Sequence, residues 1–129
     1  NNEGLAYLPD WDFNGIGEIT AGQGYQIKSN SNQQLTIFGE VLLPELTPID
    51  LSLGWNLIAY LRQSSANVAD VFQEMLFNGS LVIVKDSEGN AYLPEWDFNG
   101  IGNMFSGKAY QLKTNEAYTL IYLSNNQDY

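Results

Sequence analysis

Neither cysteine nor histidine occurs in the chain. Their absence removes thiol catalysis, disulfides, zinc–thiolate sites and every histidine-based triad at once. Any catalysis would have to rest on carboxylates, serine, lysine or tyrosine. Cations are scarce as well: Lys28, Arg62, Lys85, Lys108 and Lys113 face 15 acidic residues, for a net charge of −10. Phosphate binding needs a basic patch, so nucleic acid is disfavoured as a partner. Anionic membranes are disfavoured for the same reason. No apolar run approaches the roughly 18 residues that cross a bilayer, so membrane insertion is not expected. No signal-peptide pattern opens the chain. It begins at Asn1 rather than Met, as a processed or excised piece of a longer protein would.

What is present is an ordinary apolar fraction, 44%, which argues against disorder, and an aromatic share of 13% that suits half-buried sheets. A length of 129 residues accommodates one ordinary domain or two small ones. The acidic surface fits salty or extracellular water and leaves divalent cations as candidate partners.

The chain also repeats itself. AYLPDWDFNGIG, from Ala6 to Gly17, returns as AYLPEWDFNGIG, from Ala91 to Gly102, at an offset of 85 residues. The match continues without a gap. GQGYQIKSN, Gly22 to Asn30, aligns with GKAYQLKTN, Gly107 to Asn115, and QQLTIF, ending at Phe38, faces YTLIYL, ending at Leu123. A module has been duplicated, unequally. The second copy carries a preface from Leu51 to Asn90 that the first lacks. Residues 1–38 therefore read as the C-terminal half of a first module and 39–50 as a connector. Residues 51–129 read as a complete second module.

Patterning predicts a mainly β (α+β) fold: a small antiparallel or mixed sheet, or open barrel, of about five strands with one helix. LSLGWNLIAYL reads as a strand entered through a turn at Gly54. In SSANVADVFQEMLFNG, Val68, Val71, Phe72, Met75 and Leu76 recur at helical spacing. Ser64, Ser65 or Asn67 would cap that helix and Asn78-Gly79 would close it. LVIVKD suits a central strand, and SEGN a hairpin turn into a segment whose Pro94 marks a strand end or sheet edge. KAYQLKT and AYTLIYL supply the last strands, with QQLTIF as the counterpart of the latter in the first copy.

The dodecapeptide admits three readings. As scaffold, Tyr92, Leu93 and Trp96 pack on the sheet, while Asp97 and Asn99 satisfy backbone amides in the turn. As a calcium loop, Asp10, Asp12 and Asn14, with Asp97 and Asn99 in the second copy, resemble the first half of a D-x-D-x-[DN]-G string. Against it, Ala21 and Ser106 stand where the bidentate Glu belongs, and Glu95 replaces the first Asp. As a sugar platform, Tyr7 with Trp11, or Tyr92 with Trp96, stack on pyranose rings beside hydrogen-bonding Asp and Asn, and a tandem pair gains avidity. Asp10 with Asp12, or Glu95 with Asp97, is the only evident pair for glycoside hydrolysis. So small a module offers no cleft around it. Ser64, Ser65 and Lys85 show no nucleophile–base pairing, and no enzyme is expected.

Taken together, GWNLIAYL, a short helix, LVIVKDSEGNAYLPEWDFNGIG and GKAYQLKT resemble a recurrent tandem module of secreted bacterial proteins. Its pattern is a GWNLI-type strand, an IVKD-x-x-G-x-x-Y-x-P segment, a G-I-G turn and a G-x-x-Y-Q strand. It is similar to modules near the C-termini of large extracellular or cell-surface proteins of bacteria with type IX secretion. Thr47 to Leu51 fits its TPI-x-L lead, and Ala109 stands where Gly is usual. The resemblance implies an extracellular or cell-surface location and an accessory structural or adhesive role, with no catalytic residues and no required cofactor. Carbohydrate binding and calcium-stabilised adhesion are the alternatives. The expected partners are the remainder of a larger polypeptide, or another protein or protomer completing the first module, and glycans. As a half, residues 1–38 are not expected to be stable alone.

Overall fold

The structure, a computed structural model, describes Asn1 and residues 3–129. In chain order, β1 (Tyr7–Leu8) and β2 (Phe13–Asn14) form a hairpin around a 3-10 turn at Pro9–Trp11. A second 3-10 turn, Pro44–Leu46, leads into β3 (Ile49–Leu51). Then come β4 (Gly54–Ala59), β5 (Ala66–Asn67), α1 (Val68–Val71), α2 (Gln73–Phe77) and β6 (Leu81–Lys85). A third 3-10 turn, Pro94–Trp96, separates β7 (Ala91–Leu93) from β8 (Phe98–Asn99). The chain finishes with β9 (Asn103–Met104), β10 (Ala109–Thr114) and β11 (Tyr118–Leu120).

The main sheet has five strands in the order β4-β10-β6-β7-β8, every pair antiparallel. The apolar run LVIVK is its central strand, as its composition suggested. β3 pairs with β11 and β5 with β9 in small antiparallel sheets. The fold is mainly β with a few short helices.

The anticipated helix is broken into two single turns. Asn67 caps α1, its Oδ1 accepting the Ala69 N–H at 3.0 Å. Phe72 then leaves helical geometry, at φ −102° and ψ 20°. With the break, the adjacent side chains of Val71 and Phe72 are both buried, alongside Val68 and Met75. Gly79, at φ 73°, ends the second turn and donates to the Leu76 carbonyl at 3.2 Å. The β6–β7 hairpin is held by Asp86, whose Oδ1 accepts the Glu88 and Asn90 amides at 2.9 and 2.8 Å. Partial desolvation works to raise the Asp86 carboxyl, and the bonds from Asn90, Glu88 and Gly89 outweigh it, leaving it below the ordinary value.

The hydrophobic core runs from Ile49 to Tyr122 in sequence, and no residue of 1–38 joins it among those described. The expected strand at QQLTIF does not form, and Leu35, Ile37 and Phe38 are exposed. Within the first copy, Gly22–Gly24 attach elsewhere, on the edge of β4 opposite β10. There the Gly24 N–H donates to the Leu57 carbonyl and the Ala59 N–H to the Gly22 carbonyl, both at 3.0 Å, around a Gln23–Ile58 bridge. The fit requires glycine: a Cβ on Gly24 would lie 2.8 Å from Leu57 Cγ and 2.9 Å from Ala109 Cβ.

Arg62 is a buried cation with no carboxylate partner among the described residues. Its Nη2 donates to the Ser124 carbonyl at 3.2 Å and to that of Gln127, and its guanidinium lies 4.8 Å from the Tyr129 ring centroid. These bonds fasten residues 124–129 against the core. Tyr60 and Tyr122 meet edge-to-face beside it, at 5.3 Å between centroids.

Candidate functional site

The dodecapeptide has one local geometry in both copies. Proline at the first position of each 3-10 turn fixes φ, and the next two residues complete the turn. Asp12 and Asp97 then enter the left-handed region at φ 49° and 48°, their N–H groups donating to the Pro9 and Pro94 carbonyls at 3.2 and 3.1 Å. Asp tolerates this conformation better than most residues. The chain reverses, and Gly15 and Gly100 donate to the Ala6 and Ala91 carbonyls at 2.9 Å. Asn14 Oδ1 accepts the Gly17 N–H at 2.9 Å, and Asn99 Oδ1 that of Gly102 at 2.8 Å. Downstream, the Tyr25 and Tyr110 hydroxyls accept the Thr20 and Phe105 N–H groups, both at 2.9 Å.

This geometry corrects two expectations. Trp96 is not packed on the sheet: it is 74% exposed, and Trp11 is 80% exposed. The 3-10 turn followed by a left-handed residue carries the indole off the sheet face. Phe13 and Phe98 are exposed beside them. Asp97 supplies no side-chain cap to a backbone amide. Its part in the turn is the left-handed backbone itself, while Asn99 does the bracing. Tyr92 is buried, as expected of a scaffold residue, and Tyr7 is exposed. Burial, followed by the charges of Asp97 and Asp70, raises the Tyr92 phenol above its ordinary value.

The two copies differ in what lies behind the turn. Asn99 Nδ2 donates to Asn67 Oδ1 at 3.1 Å, tying the dodecapeptide to the cap of α1. The Val68 N–H donates to the Gly102 carbonyl at 2.9 Å beside it. Asn14 Nδ2 has only a long contact to the Gly17 carbonyl, 3.4 Å. Sequence reading did not foresee the Asn67–Asn99 bond, because the partners are 32 residues apart with no shared motif. It also passed over Phe13 and Phe98, although the repeated Trp-x-Phe spacing was there to be read.

Asp10, Asp12, Glu95 and Asp97 are all solvent-exposed. Among the described residues, no group of three or more carboxylates gathers in a way that would hold a metal ion. The side-chain oxygens of Asn14 and Asn99 are already engaged by glycine amides. Of the serines and lysine weighed for catalysis, Ser64 offers its carbonyl to the Tyr60 hydroxyl at 2.8 Å, and Lys85 Nζ lies 5.0 Å above the Trp55 ring. A depression of about 340 Å³ beside Trp55 is lined by Asn1, Gln26, Asn56, Leu57 and Gln111, away from both dodecapeptides. Each copy presents an exposed Trp–Phe ridge flanked by exposed carboxylates. Among the described residues no helix is long and apolar enough to cross a membrane. No protein-family model matches this chain, and no curated protein or solved structure matches it.

Proposed function

We propose that the chain is a non-catalytic extracellular module pair, one half copy and one full copy, serving as a structural and adhesive part of a larger secreted or cell-surface protein. The observation that carries this is the Trp–Phe ridge. Trp11 with Phe13 and Trp96 with Phe98 are exposed alike in both copies, whether or not a core lies behind them. Side chains kept exposed on an over-determined turn are a contact surface, since packing gives no reason to spend large aromatic residues there. Two such ridges on one chain favour multivalent attachment. The resemblance of the GWNLI, IVKD and G-x-x-Y-Q strings to tandem modules of secreted proteins supports the location, and the net charge of −10 suits an aqueous surface. The exposed carboxylates lie on an open ridge with nothing to exclude water, which supports a non-catalytic role.

A second reading, carbohydrate binding, is favoured by the neighbours of Trp96. Glu95 and Asp97 share its turn, and their exposed carboxylates offer hydrogen bonds beside an aromatic face. Retention on immobilised polysaccharides and on protein-coated surfaces tests both readings. Adhesion to either that falls at least tenfold in folded Trp11→Ala/Trp96→Ala supports the ridge, and the surface that retains the native chain decides between glycan and protein. Retention unchanged by the double substitution, or none on any surface, refutes the adhesive role.

A further inference from the structure

Four exposed apolar residues in the latter part of the first copy have buried counterparts 85 residues on. Ile27 is 75% exposed and Leu112 0%. Ile19, Leu35 and Ile37 are likewise exposed, and their counterparts Met104, Leu120 and Tyr122 are core. What fails to form in the first copy follows one rule. The hairpin β1–β2, whose two strands both belong to the copy, forms as β7–β8 does. The counterparts of β10 and β11 do not form. In the second copy β10 lies between β4 and β6, and β11 pairs with β3. All three of those partners lie within Ile49–Lys85.

We propose that residues 19–38 are an interaction surface for a strand–helix–strand segment with the chemistry of Ile49–Lys85: a GWNLI-type strand, an apolar helical turn and an LVIVK-type strand. On it, residues 24–29 become the strand between the other two, as β10 does, and Ile27 and Leu35 become core. A second copy of this chain cannot be the occupant. Each chain carries one segment of the Ile49–Lys85 kind and two that need it, 6–38 and 91–123. Any self-association, strand-swapped or not, leaves one of those two uncovered per chain. The occupant is therefore an additional segment of this kind. The inference holds whatever the Trp–Phe ridge contacts.

The probe is the full chain with its own Ile49–Lys85 sequence joined ahead of Asn1, which stands at the position of Asp86 in the repeat. Amide hydrogen exchange is followed at residues 25–29, with 110–114 as the internal reference. The expected result is at least a hundredfold slowing at 25–29 in the extended chain, towards the rate at 110–114, with the latter unchanged. Ile27→Asp in the extended chain should abolish the slowing while leaving 110–114 protected. Three outcomes overturn the proposal: no slowing on extension, slowing that survives Ile27→Asp, or protection of 25–29 in the unextended chain at any concentration.

Discussion

Replacing Asn99 with alanine removes a strut between the second dodecapeptide and the helix cap, and the first copy supplies its own control. The side chain makes two hydrogen bonds, accepting from the Gly102 N–H at 2.8 Å and donating to Asn67 Oδ1 at 3.1 Å. A net hydrogen bond contributes about 0.5–1.5 kcal/mol, and this site is exposed, so the two together contribute about 1–2 kcal/mol. Asn67 also caps α1, and Asn67→Ala costs about 1 kcal/mol on that count. A double-mutant cycle of Asn67→Ala with Asn99→Ala should return a coupling of about 0.5–1 kcal/mol, the value of the shared bond. Asn14→Ala removes the same turn bond with no partner behind it and outside the core, so it should cost no more than about 0.5 kcal/mol. Urea unfolding followed by far-UV circular dichroism reads all four variants. For a core unit of this size, each kcal/mol lowers the melting temperature by about 4–8 °C. Equal losses in Asn14→Ala and Asn99→Ala, or a coupling of zero, would refute the strut.

Met104→Ala should cost about 2–5 kcal/mol in urea unfolding, whereas Ile19→Ala, at the matching exposed position, should stay within about 0.5 kcal/mol. Equal losses would place both copies in one core. Burial raises the Tyr60 hydroxyl to about 12, and burial with the Glu74 hydrogen bond raises that of Tyr118 to about 12, from an ordinary 10.0. The folded state therefore favours the neutral phenols, and the stability they add is full below pH 10 and lost as pH rises toward 12. The urea midpoint should fall between about pH 10 and 12, and a midpoint unchanged across that window would contradict the assignment. Millimolar calcium should not raise the melting temperature more than magnesium does. A complete site at a hundredfold excess over Kd would add about 2.7 kcal/mol, and a calcium-specific rise lost in Asp12→Ala would establish one.

The strands at GWNLIA, LVIVK and AYQLKT were legible because apolar, β-branched and aromatic residues are dense there and glycine breaks bound them. The break at Phe72 was not, since the same apolar spacing fits a straight helix or a kinked one. Trp96 was misjudged for a general reason. Tyr and Trp serve core and surface equally well, and Tyr92 and Trp96 took opposite fates within one turn. What separates them is the left-handed residue Asp97, which patterning does not reveal. Arg62 gave no signal at all: a single arginine after a strand does not announce that it will be buried against carbonyls 62 and 65 residues away. QQLTIF carries the pattern of a strand, and its lack of a partner is a tertiary matter.

The bracing of the dodecapeptide also governs how the protein ages. Asparagine followed by glycine is the pair most prone to lose ammonia, because the unhindered glycine nitrogen attacks the side-chain carbonyl carbon and closes a succinimide. Asn14-Gly15 and Asn99-Gly100 are such pairs. In the folded chain the attacking nitrogens are occupied, their hydrogens held by the Ala6 and Ala91 carbonyls at 2.9 Å. Opening of the hairpin frees the nitrogen, so the reaction reports how often each turn comes apart. Where water then opens the ring at Asn99 to aspartate, a carboxylate oxygen replaces the Nδ2 donor facing Asn67 Oδ1, and a bond becomes a repulsion between two acceptors. The damage then loosens the turn whose opening allowed it, and the two copies of one sequence keep different time.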